Sequence, residues 1–149
     1  MRKVFSAIIV LSVLFFSGCS VADCEFKVCP FSAKTEILYM DAVYKGILNF
    51  SDKDNITFHF TYPEELCGYV IGTEGGKEKI SFQNTVFDLP TSEKYNLFGG
   101  LFIFLSDLNG VTLRDKDVEI NGFTCHVSHK ENRIEEISNE NIRCNFLYS

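Results

Sequence analysis

Three histidines, six cysteines and a cluster of glutamates are the residues of this 149-residue chain whose types could do chemistry. His126 and His129 invite a metal. On a strand, however, residues three apart point to opposite faces, and no cysteine or carboxylate completes a ligand set with them or with His59 at ordinary spacing. His126 reads instead as a residue on a wet face. No G-x-S-x-G or S-x-x-K frames a serine nucleophile. Glu131, Glu135, Glu136 and Glu140 could be imagined as a paired acid and base. They fall on a hairpin edge of an acidic chain, where solvated carboxylates that discourage edge pairing are the better account. The expectation is no catalytic residue, no metal and no cofactor, and so not an enzyme.

The most particular chemistry lies near the N-terminus. Met1-Arg2-Lys3 is a basic start, and an apolar run over residues 4–16 leads to Ser17-Gly18-Cys19. Thirteen helical residues reach only about 20 Å, short of a bilayer core of about 30 Å, which is the pattern of an export signal rather than a span. Phe16-Ser17-Gly18-Cys19 resembles the bacterial lipobox, whose cysteine thiol receives a diacylglyceryl group before cleavage. The resemblance makes residues 1–18 a signal peptide and Cys19 a lipidated first residue, held by its acyl chains, palmitate among them, on the extracytoplasmic face of a bacterial membrane. With Cys19 lipidated, five cysteines remain, an odd number that cannot all pair. Cys24 and Cys29 could close a small loop in the tether, while Cys67, Cys125 and Cys144 fall on predicted strands and form no C-x-x-C pattern.

The formal charge is −6, and without the leader twelve basic residues face twenty acidic ones, a net of −8. An acidic chain with no basic cluster is unsuited to phosphate backbones, which excludes nucleic acid as a partner. The sequons at Asn49 and Asn55 matter only on a eukaryotic secretory route, against which the lipobox argues.

After a tether over residues 19–30, period-two patterning takes over a domain spanning residues 31–149. Phe31, Ala33, Ile37 and Tyr39 share one face of a strand, with Thr35 tolerated among them, and Ala42, Tyr44, Gly46, Leu48 and Phe50 share a face of the next. Ile56, Phe58, Phe60 and Tyr62 then alternate with Thr57, His59 and Thr61, so one face is buried and one is wet. Pro63 breaks that strand. Residues 66–74 and 77–86 read as two more strands around Gly75-Gly76, completing a five-stranded meander. Residues 91–108 change period. Thr91 or Ser92 can cap, Glu93 sits in the first turn, and Leu97, Leu101, Phe104, Leu105 and Leu108 fall at helical spacing. Gly99-Gly100 weakens that helix, and a buried strand over residues 101–105 is the alternative. Asn109-Gly110 ends it, and three hairpin turns, at Asn121-Gly122, residues 130–132 and residues 138–140, return the chain to strands. The expected architecture is mainly β: a bent antiparallel sheet or unclosed barrel of eight or nine strands with one helical insert over its concave face.

Tyr62-Pro63-Glu64-Glu65-Leu66-Cys67-Gly68, between two strands, resembles the P-x-x-L-x-G step of small lipoproteins of low-GC Gram-positive bacteria. Those proteins continue, as here, with a strand, a glycine turn, a strand and an amphipathic helix. That group is in turn similar to the lipoprotein-localisation (LolA/LolB-like) fold, an unclosed antiparallel barrel with helices over an apolar mouth, whose members carry acyl chains or lipoproteins. This chain is shorter and has one helical segment where they have several. The resemblance implies an apolar binding surface. From the sheet it would be lined by Tyr44, Leu48, Phe58, Phe60, Ile80 and Phe82, and from the helix by Leu97, Leu101 and Phe104. The bland reading of the same residues is a plain core with the helix packed tight. Phe98 and Phe102 stand out because a helix on one sheet should not be apolar all round; exposed, they would form a patch for lipid or a partner. The functional expectation is a membrane-anchored, non-catalytic binding or carrier module for a lipid or acyl chain. The alternative is a ligand-free accessory lipoprotein that contacts another envelope protein.

Overall fold

The computed structural model describes residues 26–89, 97–113 and 116–148. Cys19 and Cys24 lie outside them, as do Thr91, Ser92 and Glu93, the residues expected to open the helix. Strands β2 (Phe31–Tyr39), β3 (Ala42–Asp52), β4 (Asn55–Tyr62), β5 (Tyr69–Glu74), β6 (Lys77–Phe82) and β7 (Thr85–Asp88) form the N-terminal meander. Helix α1 (Leu97–Leu108) follows, then β9 (Asp117–Ile120), β10 (Phe123–Ser128), β11 (Arg133–Ser138) and β12 (Ile142–Leu147). A two-stranded ribbon, β1 (Phe26–Lys27) with β8 (Thr112–Leu113), stands apart from the main sheet.

The main sheet is open and antiparallel, in the order β7-β6-β5-β4-β3-β2-β12-β11-β10-β9. The expected mainly β, unclosed architecture with one helix is the one observed, and most period-two faces are those read from the sequence. Tyr62 is the exception, since a register shift between Lys45 and Gly46 sets it opposite Lys45 and leaves it 50% exposed rather than buried with Ile56, Phe58 and Phe60. The sheet has ten strands rather than eight or nine because residues 77–86 are not one strand. The chain turns at Gln83, in the left-handed region at φ 55°, and returns as β7. Gln83-Asn84 carries no glycine, so the turn leaves little trace in the sequence. Residues 91–108 resolve to the helix, not the strand, over Leu97–Leu108, and Gly110 at φ 74° ends it as expected.

The two meanders join where the last strand meets the first long one. β12 pairs antiparallel with β2, from Ile142↔Tyr39 to Leu147↔Lys34. The face that α1 covers, here the inner face, carries the core: Ala33, Ile37, Leu48, Phe50, Ile56, Phe58, Cys125, Ile137 and Cys144 are all 3% exposed or less. Thr35, the one polar residue among the inner positions of β2, is buried and donates its hydroxyl to the Ala33 carbonyl at 3.1 Å. Gly46 is required on the same face, since a Cβ there would lie 2.2 Å from the His59 carbonyl oxygen.

Candidate functional site

The candidate site is the inner face and the helix across it. Alternation on β3 and β4 turns Tyr44, Leu48, Phe58 and Phe60 inward, and the same parity on β6 turns Ile80 and Phe82 inward. Leu48, Phe58 and Leu101 are fully buried, Phe104 and Phe60 nearly so, and Tyr44, Ile80 and Phe82 are half-buried. Leu97 opens α1.

These residues do not gather round one space. Phe58, Phe60 and Tyr44 surround the ring of Phe98, with centroids 5.1, 5.3 and 6.3 Å from it. Phe104 points to the other half of the sheet and meets Phe123 at 5.1 Å. Phe82 lies toward the β7 edge, stacked on Tyr69 at 4.3 Å. Phe98 and Phe102 form no exposed patch: they are 7% and 2% exposed. The helix is covered on both flanks, by Tyr44, Phe58 and Phe60 around Phe98 and by Phe123 against Phe104, so only Ile103 and Asp107 are exposed within it after Gly100. The i, i+4 spacing of Phe98 and Phe102, in phase with Leu105, was the signal for that second buried flank.

Among the described residues the inner face nevertheless extends beyond its cover. Ala33, Leu48, Phe58, Ile71, Ile80 and Phe87 form one transverse row across six strands. Exposure along it runs 3%, 0% and 0% to 7% at Ile71, then Ile80 is half-buried and Phe87 is 56% exposed. Beside the helix, a cleft of about 180 Å³ lies between Ile103 and Asp107 on one side and Lys53, Thr73 and Glu78 on the other. Burial holds the Glu78 carboxyl above the ordinary carboxylate range.

Elsewhere the polar candidates fall into surface pairs. On the outer face His126 Nδ1 lies 2.5 Å from Asp117 Oδ1, and its Nε2 lies 3.6 Å from Glu135 Oε2. Glu131 pairs with Arg133 at 2.6 Å and Glu136 with Arg143 at 3.8 Å, so three of the four glutamates are partners of bases along the last hairpins. Among the described residues no group of His, Cys, Asp and Glu is arranged to hold a metal ion. Cys29 and Cys67 are exposed, whereas Cys125 and Cys144 are buried. Burial, with Asp117 nearby, pushes the Cys125 thiol up to about 12, and burial raises that of Cys144 as well. No helix among the described residues is long and apolar enough to cross a membrane.

No protein-family model matches the chain, and no curated protein does. Among solved structures the chain is similar to a LolA superfamily protein from Nitrosomonas europaea, with 14% identity and a TM-score of 0.41. The match covers 80% of this chain and 56% of that one.

Proposed function

We propose that this chain is a lipoprotein anchored through Cys19 on the extracytoplasmic face of a bacterial membrane, where its inner face binds an apolar ligand such as an acyl chain. One observation carries the reading: the apolar inner face is wider than the helix that covers it. Ile80, Phe82 and Phe87 continue the surface of Phe58 and Ile71 outward to the sheet edge, and an apolar surface left partly open is where an apolar ligand gains most from leaving water. In this reading α1 is a movable cover. The helix has twelve residues and a Gly99-Gly100 pair, so its own helical stability is small and its place depends on packing. A ligand entering over Phe87 and Ile80 would take over the contacts that Phe98 makes with Tyr44, Phe58 and Phe60.

Native mass spectrometry of a soluble Cys19→Ser chain, gently purified from a bacterium, tests the proposal. Added mass that matches a phospholipid or fatty acid after solvent extraction supports it. A bare mass with no uptake of added lipid sinks it and favours the accessory reading. For that reading the specific observation is the edge strand β7, where Val86 is 60% and Phe87 56% exposed on a strand free of lysine and proline, the residues that commonly blunt an edge.

A further inference from the structure

Part of the stretch expected to be a free tether is docked. Phe26 and Lys27 pair with Leu113 and Thr112, and the Val28 N–H donates to the Val111 carbonyl at 3.3 Å. Val28 is 3% and Leu113 1% exposed, and both belong to the core that contains Leu105 and Leu108 of α1. Val111 is the junction. Its own N–H donates to the Leu108 carbonyl at 3.0 Å, closing the end of the helix, while its carbonyl holds the N-terminal segment.

We propose that residues 26–28 are a strap that clamps the C-terminal end of α1 onto the inner face, so that the segment leading to Cys19 governs how readily the helix lifts. The functional meaning of the strap rests on the reading of α1 as a movable cover. The strap itself rests on the ribbon and on the burial of Val28. Phe26 lies seven residues after Cys19, so a lipid anchor at Cys19 sits within about 25 Å of the ribbon along the chain. A pull from the membrane travels along the chain into β1 before it reaches β2. The two residue pairs of the ribbon are far weaker than the nine that hold β2 to β3. Load on the anchor therefore opens the ribbon first and frees the end of the helix while the sheet stays intact.

Amide hydrogen exchange on the full-length chain tests the strap. Val28→Asp places a charge at a buried position and releases the ribbon. Exchange over residues 101–108 is expected to rise about tenfold or more while β2–β5 keep their protection. Wild-type exchange in α1 would overturn the proposal. If Val28→Asp loosens the whole fold, a cross-link decides. The bond from Val28 to Val111 makes Lys27 and Thr112 a non-hydrogen-bonded pair, whose close approach suits a disulfide. In Lys27→Cys/Thr112→Cys, with Cys24, Cys29 and Cys67 changed to serine, oxidation should slow α1 exchange relative to the reduced protein. Equal rates in the two redox states overturn the strap. Uptake of a fluorescent fatty acid is read alongside. A freed helix with no uptake keeps the strap and removes the carrier function, whereas uptake with α1 exchange unaffected by either change removes the strap and keeps the carrier.

Discussion

Phe58 and Phe87 stand in the same transverse row of the sheet and turn to the same side, yet Phe58 is fully buried and Phe87 is 56% exposed. Three strand steps separate them, a distance of about 14 Å. Over that distance the cover of α1 runs out while the apolar patterning of the strands does not. A core needs its apolar face covered, and a binding surface needs part of it free; this row contains both conditions.

The two phenylalanines should therefore respond differently to truncation. Phe58→Ala is expected to cost about 3–5 kcal/mol, because the ring is fully buried against Phe60 and Phe98. Phe87→Ser should stay within about 0.5 kcal/mol of wild type, since its ring is mostly in water already. Urea denaturation reads both. If the inner face binds an acyl chain, Phe87→Ser should also weaken uptake of a fluorescent fatty acid, and unchanged uptake would show that the open end of the row is not the way in.

The buried thiols supply a prediction with a definite sign. The folded-state pKa of Cys125 is about 12, above its ordinary 9.0, so between those values the unfolded chain has lost a proton that the folded chain keeps. Stability should fall as pH rises above about 9, by up to about 1.4 kcal/mol per pH unit per buried thiol. It should be fully present below that pH. Urea midpoints between pH 8 and 10.5 check this, and Cys125→Ala should flatten the slope. In the folded protein at pH 8, an alkylating reagent should label exposed Cys29 and Cys67 and leave Cys125 and Cys144 unlabelled until denaturant is added.

Gly46→Ala should be among the most damaging single-methyl additions in the chain. The new Cβ would lie 2.2 Å from a backbone carbonyl of β4, which cannot move without parting β3 from β4, and 2.6 Å from the Phe58 ring, which is fully buried. A loss of about 2–4 kcal/mol is expected. A variant with wild-type thermal stability would mean that the two strands pack less closely than this.

His126 joins an edge strand to its neighbours through Asp117 on β9 and Glu135 on β11. Removing the ring in His126→Ala should raise hydrogen exchange in residues 117–120 while β2–β5 stay unchanged. Exchange that rises throughout the sheet instead would give His126 a role in the fold as a whole.

Much of the fold was legible because strand faces are a local property. Alternation in residues 56–62 names the buried side of β4 without reference to any other strand, and Asn121-Gly122 announces its hairpin by residue type alone. The turn at Gln83 was illegible because the left-handed residue there is not glycine. The candidate site was legible as a list of apolar positions but not as a shape. Phe98 stood outside the list of inward residues, and it is the ring around which Tyr44, Phe58 and Phe60 gather.

By itself the sequence determined which face most strand residues turn to, where most strands begin and end, and that one segment is helical in period. Each of these depends on neighbours a few residues away. The tertiary structure decided that β12 closes on β2 and not on β7, that β1 pairs with β8 just after the helix, and that Leu48 and Phe58 are fully buried while Phe87, in the same row, stays exposed. Those outcomes depend on which edges and surfaces, far apart along the chain, satisfy one another's hydrogen bonds and bury one another's apolar area. That is a sum over the whole fold, and no local pattern contains it.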